Sequence, residues 1–82
     1  IKNKFGLHTR AAAKLVSVAS SFESKIELQK NNEIANCKSI MGVITLGVTV
    51  GTTLDLVICG ADEHEAHEAI VKLVDNRFGE AE

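Results

Sequence analysis

The chain has 82 residues, 45% of them hydrophobic, with three Phe and neither Trp nor Tyr. That suffices for one small domain over residues 1–82, its core built from Leu, Ile, Val and Ala. Charged residues of both signs make up 24% and the formal net charge is −2, which excludes a general affinity for nucleic acid or for anionic membranes. No apolar run approaches the roughly 20 residues that a membrane-spanning helix needs.

Ile1 to Phe5 reads as the end of a strand, and Gly6 permits a tight turn after it. From Thr9 to Phe22 the apolar residues Ala12, Leu15, Val16, Ala19 and Phe22 follow helical spacing. Lys25 to Lys30 alternates, with Ile26 and Leu28 on one face, and predicts a half-buried strand. Asn31-Asn32 is a hairpin turn, since Asn tolerates positive φ. The partner strand runs from Glu33 to Lys38, with Ala35 and Cys37 inward and Ile34 outward. Ser39 is the expected N-cap of a short helix through about Leu46. Thr52 to Cys59 forms another strand with Leu54, Leu56 and Ile58 on one side. A last helix opens with Asp62, Glu63 and Glu65, carboxylates that suit the positive end of its dipole. Its buried stripe is Ala66, Ala69, Ile70, Leu73, Val74 and Arg77/Phe78, and Gly79 is the stop.

The order is β-α-β-β-α-β-α. Amphipathic helices on one face of a small antiparallel sheet would bury both apolar surfaces, giving an α/β (α+β) open-faced sandwich. Cys37 and Cys59 lack any ligand spacing and read as two reduced, buried thiols. His64 and His67 are three apart, but in neither H-E-x-x-H nor H-x-x-E-H order, and read as part of a solvated acidic helix face. No metal or cofactor is called for.

The chemistry concentrates in Gly6-Leu7-His8-Thr9-Arg10, just ahead of the first helix. A helix N-terminus carries unpaired N–H groups and partial positive charge, so it holds anions. A neutral imidazole there is a nucleophile whose phosphorylated product the backbone can hold. Arg10 stays protonated and can give charge-assisted hydrogen bonds to phosphate.

These residues, with Lys38-Ser39-Ile40-Met41-Gly42-Val43, Gly51-Thr52-Thr53-Leu54 and Arg77-Phe78-Gly79-Glu80, resemble the HPr family of histidine-containing phosphocarriers of the bacterial phosphoenolpyruvate:sugar phosphotransferase system. The resemblance covers nearly the whole chain. It implies a cytoplasmic, monomeric, stoichiometric carrier rather than a turnover enzyme. His8 would be phosphorylated on Nδ1 by phosphoenolpyruvate-charged enzyme I, with Arg10 beside it, and would pass the group to a histidine of an enzyme IIA. Ser39 would be a regulatory site where an HPr kinase/phosphorylase exists. Partners would dock on Thr9, Arg10, Ala13, Lys14, Ser17 and Ser20 of the first helix and on Ile40, Met41, Ile44 and Thr45 of the short one. The family's sheet has four strands. Its first lies just ahead of Ile1–Phe5 and pairs with Thr52–Cys59, so the native start is expected about half a dozen residues earlier.

Ala11 stands where many members have Pro. Ala is a good helix former, so the chemistry is intact, and the nitrogen-regulatory carrier, NPr, stays open as an alternative. A regulatory module acting through Ser39 alone is a further alternative, against which His8 and Arg10 both count.

Overall fold

The computed structural model describes residues 6–79. Its elements are α1 (Thr9–Ser20), β1 (Lys25–Lys30), β2 (Glu33–Asn36), α2 (Ile40–Thr45), β3 (Asp55–Cys59) and α3 (Glu63–Asp75), followed by a 3-10 turn at Arg77–Gly79. The expected strand at Ile1–Phe5 lies outside the described residues. The described sheet is antiparallel, three-stranded and ordered β2-β1-β3, so β1 is central. Leu28 stands between Ala35 and Leu56, and Ile26 is paired with Ile58. Ile26, Leu28, Ala35 and Cys37 are buried together with Ala12, Leu15 and Ala19 of α1 and Ala66 and Ile70 of α3. Helices therefore share one core with one face of the sheet, as the two periodicities require. The β1–β2 turn puts Asn31 at φ 57°. Ile34 points away from the core and is 62% exposed.

Several ends fall short of the predicted ones. Helix α1 stops at Ser20, because the Ser21 N–H turns back to the Val18 carbonyl at 3.2 Å and its hydroxyl donates to the same oxygen at 2.6 Å. β2 is assigned only to Asn36, although the Cys37 N–H still reaches the Ile26 carbonyl at 2.9 Å. β3 begins at Asp55, after a loop that contains Gly47 and Gly51 at positive φ. Helix α3 ends at Asp75 rather than running to Gly79. Arg77 and Phe78 both take left-handed backbone, at φ 54° and 56°, and this turns the Phe78 ring fully into the core. Each such non-Gly residue costs about 1–2 kcal/mol, and burial of a Phe side chain returns about 1.5–3 kcal/mol.

Three lysines tie these helix exits to other elements. Lys38 donates to the Phe22 carbonyl beyond α1 at 2.7 Å. Lys30, the last residue of β1, donates to the Leu46 and Gly47 carbonyls beyond α2, both at 3.2 Å. Lys14 donates to the Phe78 carbonyl in the turn beyond α3 at 2.6 Å. Carbonyls at helix ends have no intrahelical donor, and an ammonium there also meets the negative end of the dipole.

Asp62 occupies the N-cap position of α3, but its side chain makes no cap bond to that helix. It reaches across to the α1–β1 connection instead. Its carboxylate accepts from the Glu23 N–H at 2.8 Å, the Ser24 N–H at 2.9 Å and the Ser24 hydroxyl. Gly60 closes the junction at φ 154°, where a Cβ would lie 2.7 Å from the Ser24 Cα. The Ser24 hydroxyl, the Glu23 N–H and the Ser24 N–H hold the Asp62 carboxyl below its ordinary range, against a smaller opposing effect of burial. A carboxyl lowered in the folded state stabilises fully above its unfolded value of about 3.9 and loses that contribution as pH falls toward the folded value. Asp62→Asn is therefore expected to lower Tm at neutral pH, with the gap to the parent narrowing as melts are repeated toward about pH 3. A gap constant across that range would show that the carboxylate charge contributes nothing.

The two thiols differ, which corrects the expectation that both are buried. Cys37 is buried, whereas Cys59 is exposed, because it ends β3 on the side opposite the half-buried Ile58. Burial, and secondarily the charge of Glu27, pushes the Cys37 thiol up to about 12. A thiol reagent is expected to label Cys59 in the folded protein and Cys37 only after unfolding. Equal rates at both would contradict this packing.

Candidate functional site

His8 is the N-cap of α1. Its backbone is extended (φ −74°, ψ −179°), and its carbonyl accepts the helix's first hydrogen bond, from the Ala12 N–H at 2.8 Å. The half-buried imidazole folds back over the helix start, where Nδ1 accepts from the Arg10 N–H at 3.2 Å. The ring thus does the work usually given to a Ser or Asp oxygen. An accepting nitrogen presents a lone pair, so in this arrangement the neutral ring carries its proton on Nε2. Nδ1 therefore carries the lone pair, directed at the start of the helix.

Two residues ahead of His8 determine where the ring stands. Gly6 is buried at φ 63°, against the backbone of the α2–β3 loop. A Cβ at Gly6 would run into the Val48 carbonyl oxygen and lie 2.8 Å from the Thr49 Cα. The Leu7 N–H donates to the same Val48 carbonyl at 3.1 Å, and the Leu7 side chain is buried. Gly6 was legible as a turn residue. Its close approach to a carbonyl some forty residues away has no signature in the local sequence.

Arg10, whose backbone N–H bonds the imidazole, is exposed on the first turn of α1. Helices α1 and α2 pack together and contain neither Asp nor Glu, so their surface is cationic or uncharged although the whole chain is net negative. Thr9, Ala13, Ser17 and Ser20 are exposed on α1. Lys14 is half-buried, with its ammonium held by the Phe78 carbonyl. Ser39 is exposed and caps α2, its Oγ accepting from the Gly42 N–H at 3.3 Å. On α2, Ile40, Met41 and Thr45 are exposed, Met41 at 68%, whereas Ile44 is half-buried against the core. The structure thus brings His8 and Arg10 together at one helix start. Ile44 it gives partly to packing, and Lys14 to tying down the C-terminal turn.

His64 and His67 are exposed on α3. Among the described residues no group of three or more His, Cys, Asp or Glu side chains could hold a metal ion. No helix among them is long and apolar enough to cross a membrane.

A family model described as the phosphotransferase-system HPr component phosphorylation site matches residues 1–76. Phosphocarrier protein HPr of Cupriavidus necator is 46% identical over 82 residues, which is 100% of this chain and 92% of the relative. Phosphocarrier protein NPr of Shewanella violacea is 41% identical over 81 residues, covering 99% and 89%. The crystal structure of HPr-C-His from Thermoanaerobacter tengcongensis superposes with a TM-score of 0.96 at 49% identity, covering 100% of this chain and 92% of that one. An HPr dimer structure from the same organism gives 0.85 at 50% identity, covering 98% and 92%. A histidine ring nitrogen capping a helix start, a phosphorylation-site model matched over residues 1–76, and relatives matched over nearly their full length agree: the chain belongs to the HPr family of phosphocarriers of the phosphotransferase system.

Proposed function

We propose that His8 is the phosphoryl-carrying residue, accepting the group from phosphorylated enzyme I and passing it to a histidine of an enzyme IIA. The observation that supports this most is the hydrogen bond from the Arg10 N–H to His8 Nδ1. In the forward step the Nδ1 lone pair attacks phosphorus in line, and a new N–P bond forms as the donor histidine's N–P bond breaks. The Nε2 proton is not transferred. The incoming group takes the place of Nδ1 as acceptor, so its oxygens meet the Arg10 N–H and the other unpaired N–H groups of the first turn. The Arg10 guanidinium adds charge-assisted donors. The second step is the same displacement with the acceptor's histidine as nucleophile. The protein is regenerated each cycle and acts as a stoichiometric cytoplasmic carrier.

Thr9, Arg10, Ala13 and Ser17 on α1, with Ile40 and Met41 on α2, make up the central part of the docking surface. The absence of carboxylates from both helices supports it, since partners that carry phosphate are approached without repulsion. A phosphoryl group on Ser39 would displace the cap and set a dianion beside Ile40 and Met41. This is the regulatory role assigned to Ser39, exercised where an HPr kinase/phosphorylase exists. The higher identity to an HPr than to an NPr favours the sugar branch over the nitrogen branch.

Incubation with phosphoenolpyruvate and enzyme I, read by intact mass, is expected to add one phosphate that is lost in acid and absent from His8→Ala. Phosphate retained through acid, or present on His8→Ala, would place it elsewhere. Met41→Glu is expected to raise KM for enzyme I and for IIA by roughly ten-fold with little change in Tm. Unaltered transfer kinetics would remove α2 from the docking surface.

A further inference from the structure

The loop that holds His8 in place is itself held by one side chain far from it in sequence. Lys30 ends β1, and its ammonium donates to the Leu46 and Gly47 carbonyls at 3.2 Å each. These are the first carbonyls beyond α2, at a point where Gly47 turns the backbone through φ 68°. The next residue is Val48. Its carbonyl accepts from the Leu7 N–H at 3.1 Å, and Gly6 lies against Val48 and Thr49 with no room for a Cβ. His8 follows directly. From the Lys30 ammonium to the imidazole there is therefore an unbroken series of hydrogen bonds, backbone and close packing.

We infer that Lys30 is a positioning residue for phosphoryl transfer, holding the α2–β3 loop so that Val48 fixes Leu7 and thereby His8. The inference rests on the reading of His8 as the phosphorylated residue. Lys30 acts through the loop and touches neither the phosphoryl group nor the ring. Without its ammonium, two carbonyls at a helix exit pass to water and the loop loses its tie to β1. In-line attack tolerates little displacement of the nucleophile, so the loss falls on the chemical step rather than on partner affinity.

Lys30→Met keeps the aliphatic stem and removes the donors, whereas Lys30→Arg keeps charge and donors. With wild type alongside, phosphorylation by phosphoenolpyruvate-charged enzyme I is measured as a function of carrier concentration. Lys30→Met is expected to lower kcat roughly ten-fold with KM little changed, and Lys30→Arg to restore it. NMR supplies a readout independent of transfer. In Lys30→Met the His8 ring signals shift and the Leu7 amide exchanges faster, while Ile26 and Ile70 amides in the core do not change.

Unchanged kcat, or a raised KM with unchanged kcat, overturns the inference, as do unchanged His8 and Leu7 signals. If wild type takes no phosphate, the functional reading fails, and the NMR comparison still decides whether Lys30 positions His8. Should Lys30→Met melt below the assay temperature, Lys30→Leu is read in the same way.

Discussion

Everything at the candidate site depends on a backbone-to-backbone approach. Gly6 and Leu7 lie against Val48 and Thr49, with the Leu7 N–H bonded to the Val48 carbonyl and no space for a side chain at Gly6. This contact sets the direction in which the chain reaches His8, whose imidazole caps α1. It also joins two segments that would otherwise be neighbours only through the core. The loop after α2 becomes part of the histidine's support through its backbone.

A second feature recurs around the molecule. Among the described residues, a carbonyl beyond the end of each α-helix accepts from a lysine elsewhere in the chain. Lys14, Lys30 and Lys38 thus serve as tertiary ties. Each is a long side chain whose stem lies along the surface while its head finds an unpaired acceptor. Asp62 plays the opposite part at the other end of α3, where a carboxylate collects N–H and O–H groups from the α1–β1 connection. Charges that look solvated in a linear reading hold the connections between elements.

The same assignment of charge bears on function. Carboxylates are absent from α1 and α2, and three of them sit at the beginning of α3. With the lysines partly occupied by carbonyls, Arg10 is the exposed cation on the turn whose N–H bonds the His8 ring. On the proposed reading of His8 as the phosphorylated residue, the N–H groups of that turn and the Arg10 guanidinium are the donors that hold a dianion and release it to another histidine.

What could be read from the residues alone was whatever local rules govern. The alternation of Lys25 to Lys30, the Asn31 turn, the inward Ala35 and Cys37 and the Ser39 cap all depend on neighbours within a few positions, and all agree with the structure. The position of His8 and Arg10 at a helix start was legible for the same reason, since it follows from the spacing of the helix itself. Tertiary structure alone decided that α3 breaks at Asp75, because burying Phe78 requires two left-handed residues that no local preference favours. It alone sent the Asp62 carboxylate away from its own helix and committed Lys14 and Lys30 to carbonyls across the fold. These depend on which backbone groups other segments leave unpaired, and the chain acquires that information only when its elements pack.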